Sequence, residues 1–360
     1  MKHKFSTSRR HVLGGSVAAA AWLALPPWVH AQERSLKVGV YGGFFKDTFD
    51  EHIFPEFTKA TGIAVDSVSE PTGEAWLVQL TNAARAKQAP ADVSMMAQVP
   101  RLKGRQQGLW QELDAAKLGN AKYLHEHFVQ RDGDGRIDGI GAVSWYINLV
   151  TNTEAYPQAP ESWKALWDPA NKDRIGLLAL ASNSFLLDVT AKTWFGGPEP
   201  LEDQDGIKEV FEKLAEVKPN VRLWYRDEAQ FQQALQSGEI PMGQYYHDVT
   251  GIAAAKGAPV RSTFPQEGGI LDSGSWSVIK TSQKMDEALV FMDYMCQPGV
   301  QDEVARTLGS APTVQRRHLK LSDEEFARVA SEISPIVPKY DMYVDRPDWI
   351  ADTWTAMLTG

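Results

Sequence analysis

Leu36-Lys37-Val38-Gly39-Val40 runs directly into Tyr41-Gly42-Gly43, and Phe49, Ile53, Phe54 and Phe57 then recur at helical spacing up to Thr61-Gly62. Ile63-Ala64-Val65 follows as a second short apolar run. The pattern reads as strand, glycine turn, amphipathic helix and strand. A further helical segment over about 73–88 leads to Asp92-Val93-Ser94-Met95-Met96, a third strand. Strands alternating with helices of this length predict an α/β fold with a mainly parallel sheet flanked by helices. Ligands of such sheets bind beyond the carboxyl ends of the strands. That rule places Tyr41 to Phe45, Glu70 to Glu74 and Met96 to Gln98 on one rim.

Before this unit, residues 1–31 carry Lys2, Lys4, Arg9 and Arg10, an apolar Ala-rich run from Val12 to Leu25, and Val29-His30-Ala31. A basic start, an apolar centre and a small-x-Ala end form an export signal, expected to be cleaved after Ala31. Ser8-Arg9-Arg10-His11-Val12-Leu13 is twin-arginine-like, departing from that pattern at Val12 and Gly14; an ordinary export signal is the alternative. The remainder keeps 33 of the 37 basic residues and all 46 acidic ones, a net charge of −13 against −9 for the whole 360-residue chain. That balance argues against a nucleic-acid partner. One cysteine excludes an intramolecular disulfide and a Cys-rich metal site.

Beyond the first unit, Asp132-Gly133-Asp134-Gly135-Arg136 has the density of a calcium loop, but Arg136 and Ile137 stand where a calcium loop needs an oxygen ligand and Gly. A hairpin turn is the reading adopted. Ile137 to Val150 and Gly268 to Ile279 read as two extended passages, with helices and strands alternating between them. The architecture expected is therefore two α/β units, the second inserted into the first.

Several runs resemble one family. Pro55-Glu56-Phe57-Thr58-Lys59-Ala60-Thr61-Gly62-Ile63-Ala64-Val65, Ala91-Asp92-Val93, Gly108-Leu109-Trp110-Gln111-Glu112-Leu113-Asp114 and Tyr146-Ile147-Asn148 come first. Ser162-Trp163-Lys164-Ala165-Leu166-Trp167-Asp168-Pro169, Gly238-Glu239-Ile240, Gly257-Ala258-Pro259-Val260 and Pro265-Gln266-Glu267-Gly268-Gly269 follow in order. Together they resemble the spermidine/putrescine-binding-like branch of the periplasmic solute-binding proteins of ABC importers. The resemblance implies a two-lobed periplasmic-binding-protein fold of type II, each lobe a mixed, mainly parallel sheet flanked by helices, the two joined by two crossover strands. Lobe 1 would be 32–138 plus 266–360, and lobe 2 would be 139–265. It further implies a monomer in the periplasm that closes on a small molecule and docks on an ABC permease in the inner membrane, with no cofactor.

The same resemblance suggests ligand residues. Tyr245-Tyr246-His247-Asp248 lies where the family has an aromatic residue followed by a carboxylate, so Tyr245 and Asp248 are candidates, with Asp272 as a second carboxylate. Tyr41, Phe44 and Trp145 are aromatic candidates by position. Aromatic faces and carboxylates suit an amine through cation–π contacts and charge-assisted hydrogen bonds. Ser182, Asn183 and Ser184 replace the acidic residue expected in the second lobe, and Thr72 opens another helix; such positions suit an anion. A polyamine-like solute is the leading expectation, with an amphoteric or anionic solute such as an aminophosphonate as the alternative. Tyr245-Tyr246 also admits ferric iron, although the first strand lacks the His or Glu that iron-binding relatives add. No metal ligand is assigned.

An enzyme, such as a secreted hydrolase, is the competing class. Ser277-Val278-Ile279-Lys280 matches S-x-x-K without the partner motifs, and G-x-S-x-G, H-E-x-x-H and the phosphate-binding loop are missing from the sequence. His125-Glu126-His127 would diverge on a helix, and Cys296 sits in an apolar helical run. The sequence is read as a binding protein and not an enzyme.

Overall fold

Among the described residues the alternating apolar runs become ten strands: β1 (Ser35–Tyr41), β2 (Ala64–Glu70), β3 (Val93–Ala97), β4 (Val129–Arg131), β5 (Ile137–Asn152), β6 (Ile175–Leu178), β7 (Val221–Tyr225), β8 (Met242–Tyr246), β9 (Val260–Thr263) and β10 (Ile270–Val278). The structure, a computed structural model, describes residues 34–71 and 73–360; the expected export segment and Thr72 lie outside the described residues. Hydrogen bonding orders the strands β2-β1-β3-β10-β5-β8-β6-β7, with β4 and β9 also paired to β5. The outer strands are parallel: β1 with β2 and β3, and β6 with β7 and β8. The long strands β5 and β10 run antiparallel to each other and to their other neighbours.

The helix Phe54–Thr61 shows how local sequence sets an element. Pro55 sits in its first turn, where a missing N–H costs nothing, and Gly62 ends it with φ 70°. Its Phe57 is fully buried, a contribution of roughly 1.5–3 kcal/mol for such a side chain. The 132–136 segment is a turn between β4 and β5: Asp132 Oδ1 accepts from the Asp134 and Arg136 N–H groups, and the Arg136 guanidinium donates to Asp134.

β5 serves more than one core. Its Ile140, Ala142 and Val143 pack with Leu36, Val38 and Trp276. Further along, Ile147 and Leu149 join Trp163, Leu187 and Trp354, and Val150 joins Tyr225, Phe231 and Tyr245. The tail enters the second of these cores through Ile336, Met342, Ile350 and Trp354. The Ser162–Pro169 run is structural: Ser162 and Asp168 side chains cap one-turn 3-10 helices, and the Trp163 indole donates to the Gly268 carbonyl at 2.8 Å. Cys296 is buried, and burial pushes its thiol pKa up. Among the described residues, no helix is long and apolar enough to cross a membrane.

Candidate functional site

Three strands, β1, β3 and β8, end on one cavity that β5 and β10 cross. Tyr41 closes β1, Ala97 closes β3, and Asp272 and Trp145 face each other across β10 and β5 in register. The cavity, of about 440 Å³, is also lined by Gln98, Lys103, Ser182, Phe185 and Tyr246. The strand ends supply it, as expected of a sheet whose ligands bind at carboxyl ends.

Each wall has a physical origin. The Ala97 N–H donates to Tyr41 Oη at 2.7 Å, so the phenol proton remains to be donated elsewhere. Burial, reinforced by the nearby Glu70 carboxylate, pushes the Tyr41 pKa up and keeps it a neutral donor. Asp272 Oδ1 accepts from the Ser273 N–H at 2.8 Å and from the Tyr340 hydroxyl at 2.9 Å. Burial nevertheless raises its carboxyl to about 6, against those two hydrogen bonds, which favour the anion. Gln98 donates to the Ser273 and Ser275 hydroxyls at 3.2 and 2.7 Å, anchoring a helix start to β10. Phe185 sits at φ 52°, an uncommon conformation for a bulky residue, held by edge-on contact with Tyr340 and Tyr343.

The same lining carries a second pair of charges. Lys103 and Glu74 form an ion pair at 2.5 Å. The helices Glu74–Arg85 and Gln98–Gln106 both begin on the cavity, and among the described residues neither start has a side-chain cap. Uncapped starts present free N–H groups and the positive end of the helix dipole, which favour an anionic group.

The structure brings Tyr41, Trp145, Ser182 and Asp272 together around this cavity. It places the other described candidates elsewhere. Phe44 is 64% exposed at the start of a one-turn helix and does not line the cavity. Ser184 is fully buried, its hydroxyl bonded to the Ala181 carbonyl and its own carbonyl accepting from Gln244. Tyr245 packs in the third core against Phe231, its hydroxyl donating to the Glu228 carbonyl at 3.2 Å. Successive strand residues face opposite ways, so Tyr246 rather than Tyr245 lines the cavity. Asp248 faces a different cavity.

Sequence reasoning missed Lys103, Phe185 and Tyr340, and weighed Tyr246 only as an iron ligand. Tyr246 was one residue from the chosen tyrosine; Tyr340 lies 68 residues from its partner Asp272, and no local pattern announces that contact. Glu70 is buried behind Tyr41, on the strand beside it. Its Oε2 accepts from Ser94, which in turn accepts from the Trp76 indole. Gly39 makes this possible, because a Cβ there would collide with the Glu70 carboxylate. Among the described residues, no group of three or more His, Cys, Asp or Glu side chains could hold a metal ion.

The family model for bacterial extracellular solute-binding proteins matches residues 52–327. The spermidine/putrescine-binding periplasmic protein of Salmonella typhimurium is 26% identical over 277 residues, 76% of this chain and 77% of that protein. The gamma-aminobutyric acid-binding protein of Pseudomonas aeruginosa is 25% identical over 312 residues, 85% of this chain and 82% of that protein. Among solved structures, an ABC transporter substrate-binding protein from Bradyrhizobium japonicum superposes with a TM-score of 0.76 at 22% identity, covering 91% of this chain and all of that one.

Proposed function

The chain belongs to the bacterial extracellular solute-binding protein family, and on that premise we propose that it captures a small organic amine for an ABC importer in the cavity between Tyr41, Trp145, Tyr246 and Asp272. It is a binding protein and not an enzyme, as the family is one of solute binders. The observation that carries the ligand reading is Asp272, a desolvated carboxylate set among aromatic side chains at the converging strand ends. Such a group is costly to ionise alone and is repaid by a cation. Tyr246 and Trp145 would supply ring faces to the ammonium group.

The Lys103 part of the cavity lining makes the solute amphoteric in this reading. Lys103 and two uncapped helix starts suit a carboxylate or phosphonate. The polyamine expected from the sequence is the second reading, favoured by Glu74 on the same wall. A diamine would pair its second ammonium with Glu74 once Lys103 swings away. Ferric iron is the weaker fit, because the Tyr246 hydroxyl donates to Glu228 and burial pushes both adjacent phenols up.

The working cycle proposed has two lobes hinged where β5 and β10 cross, with the first core in one lobe and the second and third in the other. Because Ile336 to Trp354 pack in the second core, this proposal moves the tail to the second lobe. The protein would act as a monomer in the periplasm after loss of 1–31 and dock on a membrane permease. A thermal-shift panel of putrescine, spermidine, γ-aminobutyrate, 2-aminoethylphosphonate and ferric citrate tests the reading. A ligand at about 100 times its Kd adds about 2.7 kcal/mol of stability. Stabilisation by an amine in the wild type and its loss in Asp272→Asn supports the proposal; stabilisation by ferric citrate alone overturns it.

A further inference from the structure

Tyr246 lines the cavity described above, but the next two residues, His247 and Asp248, line another with which it shares no residue. This second cavity, about 920 Å³, lies between the helix His247–Ala255, β9 and the segments around Ala305–Gly309 and Leu321–Val329. Its apolar wall includes Ile252, Val260, Leu321 and Val329.

The polar groups on this wall are incompletely paired. Among the described residues, Asp248 Oδ1 and Arg261 Nε are buried atoms with no hydrogen-bond partner. Two other arginines of the cavity are neutralised, Arg306 by Glu325 at 2.7 Å and Arg328 by Glu324. Arg261 instead donates from its terminal nitrogens to the Tyr156 and Pro157 carbonyls at 2.7 and 3.3 Å and to the Thr151 hydroxyl at 3.5 Å, none of which lines the cavity, and among the described residues no carboxylate pairs with it. Asp248 Oδ1 and Arg261 Nε thus line a cavity whose Arg306 and Arg328 already have carboxylate partners. A buried polar atom without a partner is unfavourable, and a ligand with an ammonium and a carboxylate supplies a partner to each.

We propose that this cavity is a second small-molecule site, for an α-amino acid with an aliphatic side chain, its ammonium on Asp248, its carboxylate on Arg261 and its side chain against Ile252, Val260 and Leu321. The His247 ring beside them is fixed by its Nδ1 contact with the Ser262 hydroxyl at 2.9 Å and faces the Ala327 and Arg328 carbonyls. This site is independent of the ligand proposed for the first cavity.

L-leucine titrated calorimetrically into the full mature chain is the test, with isopentylamine and isocaproate as probes carrying only one of the two charges. Leucine is expected to bind 1:1, to bind equally well to Asp272→Asn, and to outbind both single-charge probes. Asp248→Asn is expected to weaken it at least about tenfold. Ala254→Phe, on the exposed face of the helix lining the cavity, should block the chamber without touching a core. It keeps the test valid should Asp248→Asn fold poorly. No leucine binding up to about 10 mM, the limit of a useful interaction, would overturn the proposal. So would binding that Asp272→Asn abolishes, or binding indifferent to both cavity variants.

Discussion

Acidification from about pH 7.5 to about pH 5 is expected to weaken amine binding roughly tenfold, because only the ionised Asp272 holds the cation. The carboxyl of the free protein sits at about 6, raised from an ordinary 3.8 by burial. At about pH 7.5 nearly every molecule is ready to bind; at about pH 5 only about one in ten is, which costs about 1.4 kcal/mol. Binding near pH 6 should also release about half a proton, measurable by titration calorimetry in two buffers of different ionisation enthalpy. Unliganded stability should move the opposite way. A carboxyl whose folded pKa is raised contributes stability that is fully present below its unfolded pKa and lost as pH rises through about 6. Asp188, also raised to about 6 by burial while it accepts from the Lys339 N–H and the Tyr343 hydroxyl, adds to the same trend. The reasoning fails if affinity is flat across this range, or if Asp272→Asn retains the wild-type pH dependence.

Further outcomes follow from the charges lining the cavity and from the strand register. Tyr246→Ala should weaken amine binding by about 0.5–2 kcal/mol through the lost ring face, with only a modest fall in melting temperature from the packing its half-buried ring loses, read by calorimetry and thermal unfolding. Tyr245→Ala should do the reverse, costing about 3–5 kcal/mol of stability as a large-to-small core change, seen in urea unfolding. Lys103→Gln should weaken an amino acid or aminophosphonate about tenfold and leave putrescine unchanged or tighter, which separates the two ligand readings in one titration series. Gly39→Ala should destabilise by about 1–3 kcal/mol, because its Cβ would meet the buried Glu70 carboxylate.

The fold was legible because its signals are local. Phe49, Ile53, Phe54 and Phe57 recur at helical spacing and are all buried, and the two extended passages became β5 and β10. The cavity was legible only in part. Tyr41, Trp145 and Asp272 stand at strand ends or on crossing strands, positions that chain order and the family resemblance both mark. The choice between Tyr245 and Tyr246 depends on strand phase, and a one-residue slip turns a cavity residue into a core residue. Tyr340, Phe185 and Lys103 come from distant segments brought in by packing, which nothing in their neighbouring sequence encodes.

Calorimetric titration of the amine that most stabilises the wild type, run side by side on wild type and Asp272→Asn at about pH 7.5, addresses the central claim most directly. The account predicts 1:1 binding to the wild type and a loss of at least about thirtyfold in the variant, the equivalent of about 2 kcal/mol for one charged partner removed. Equal affinity in the two proteins, with the variant folded, would contradict it.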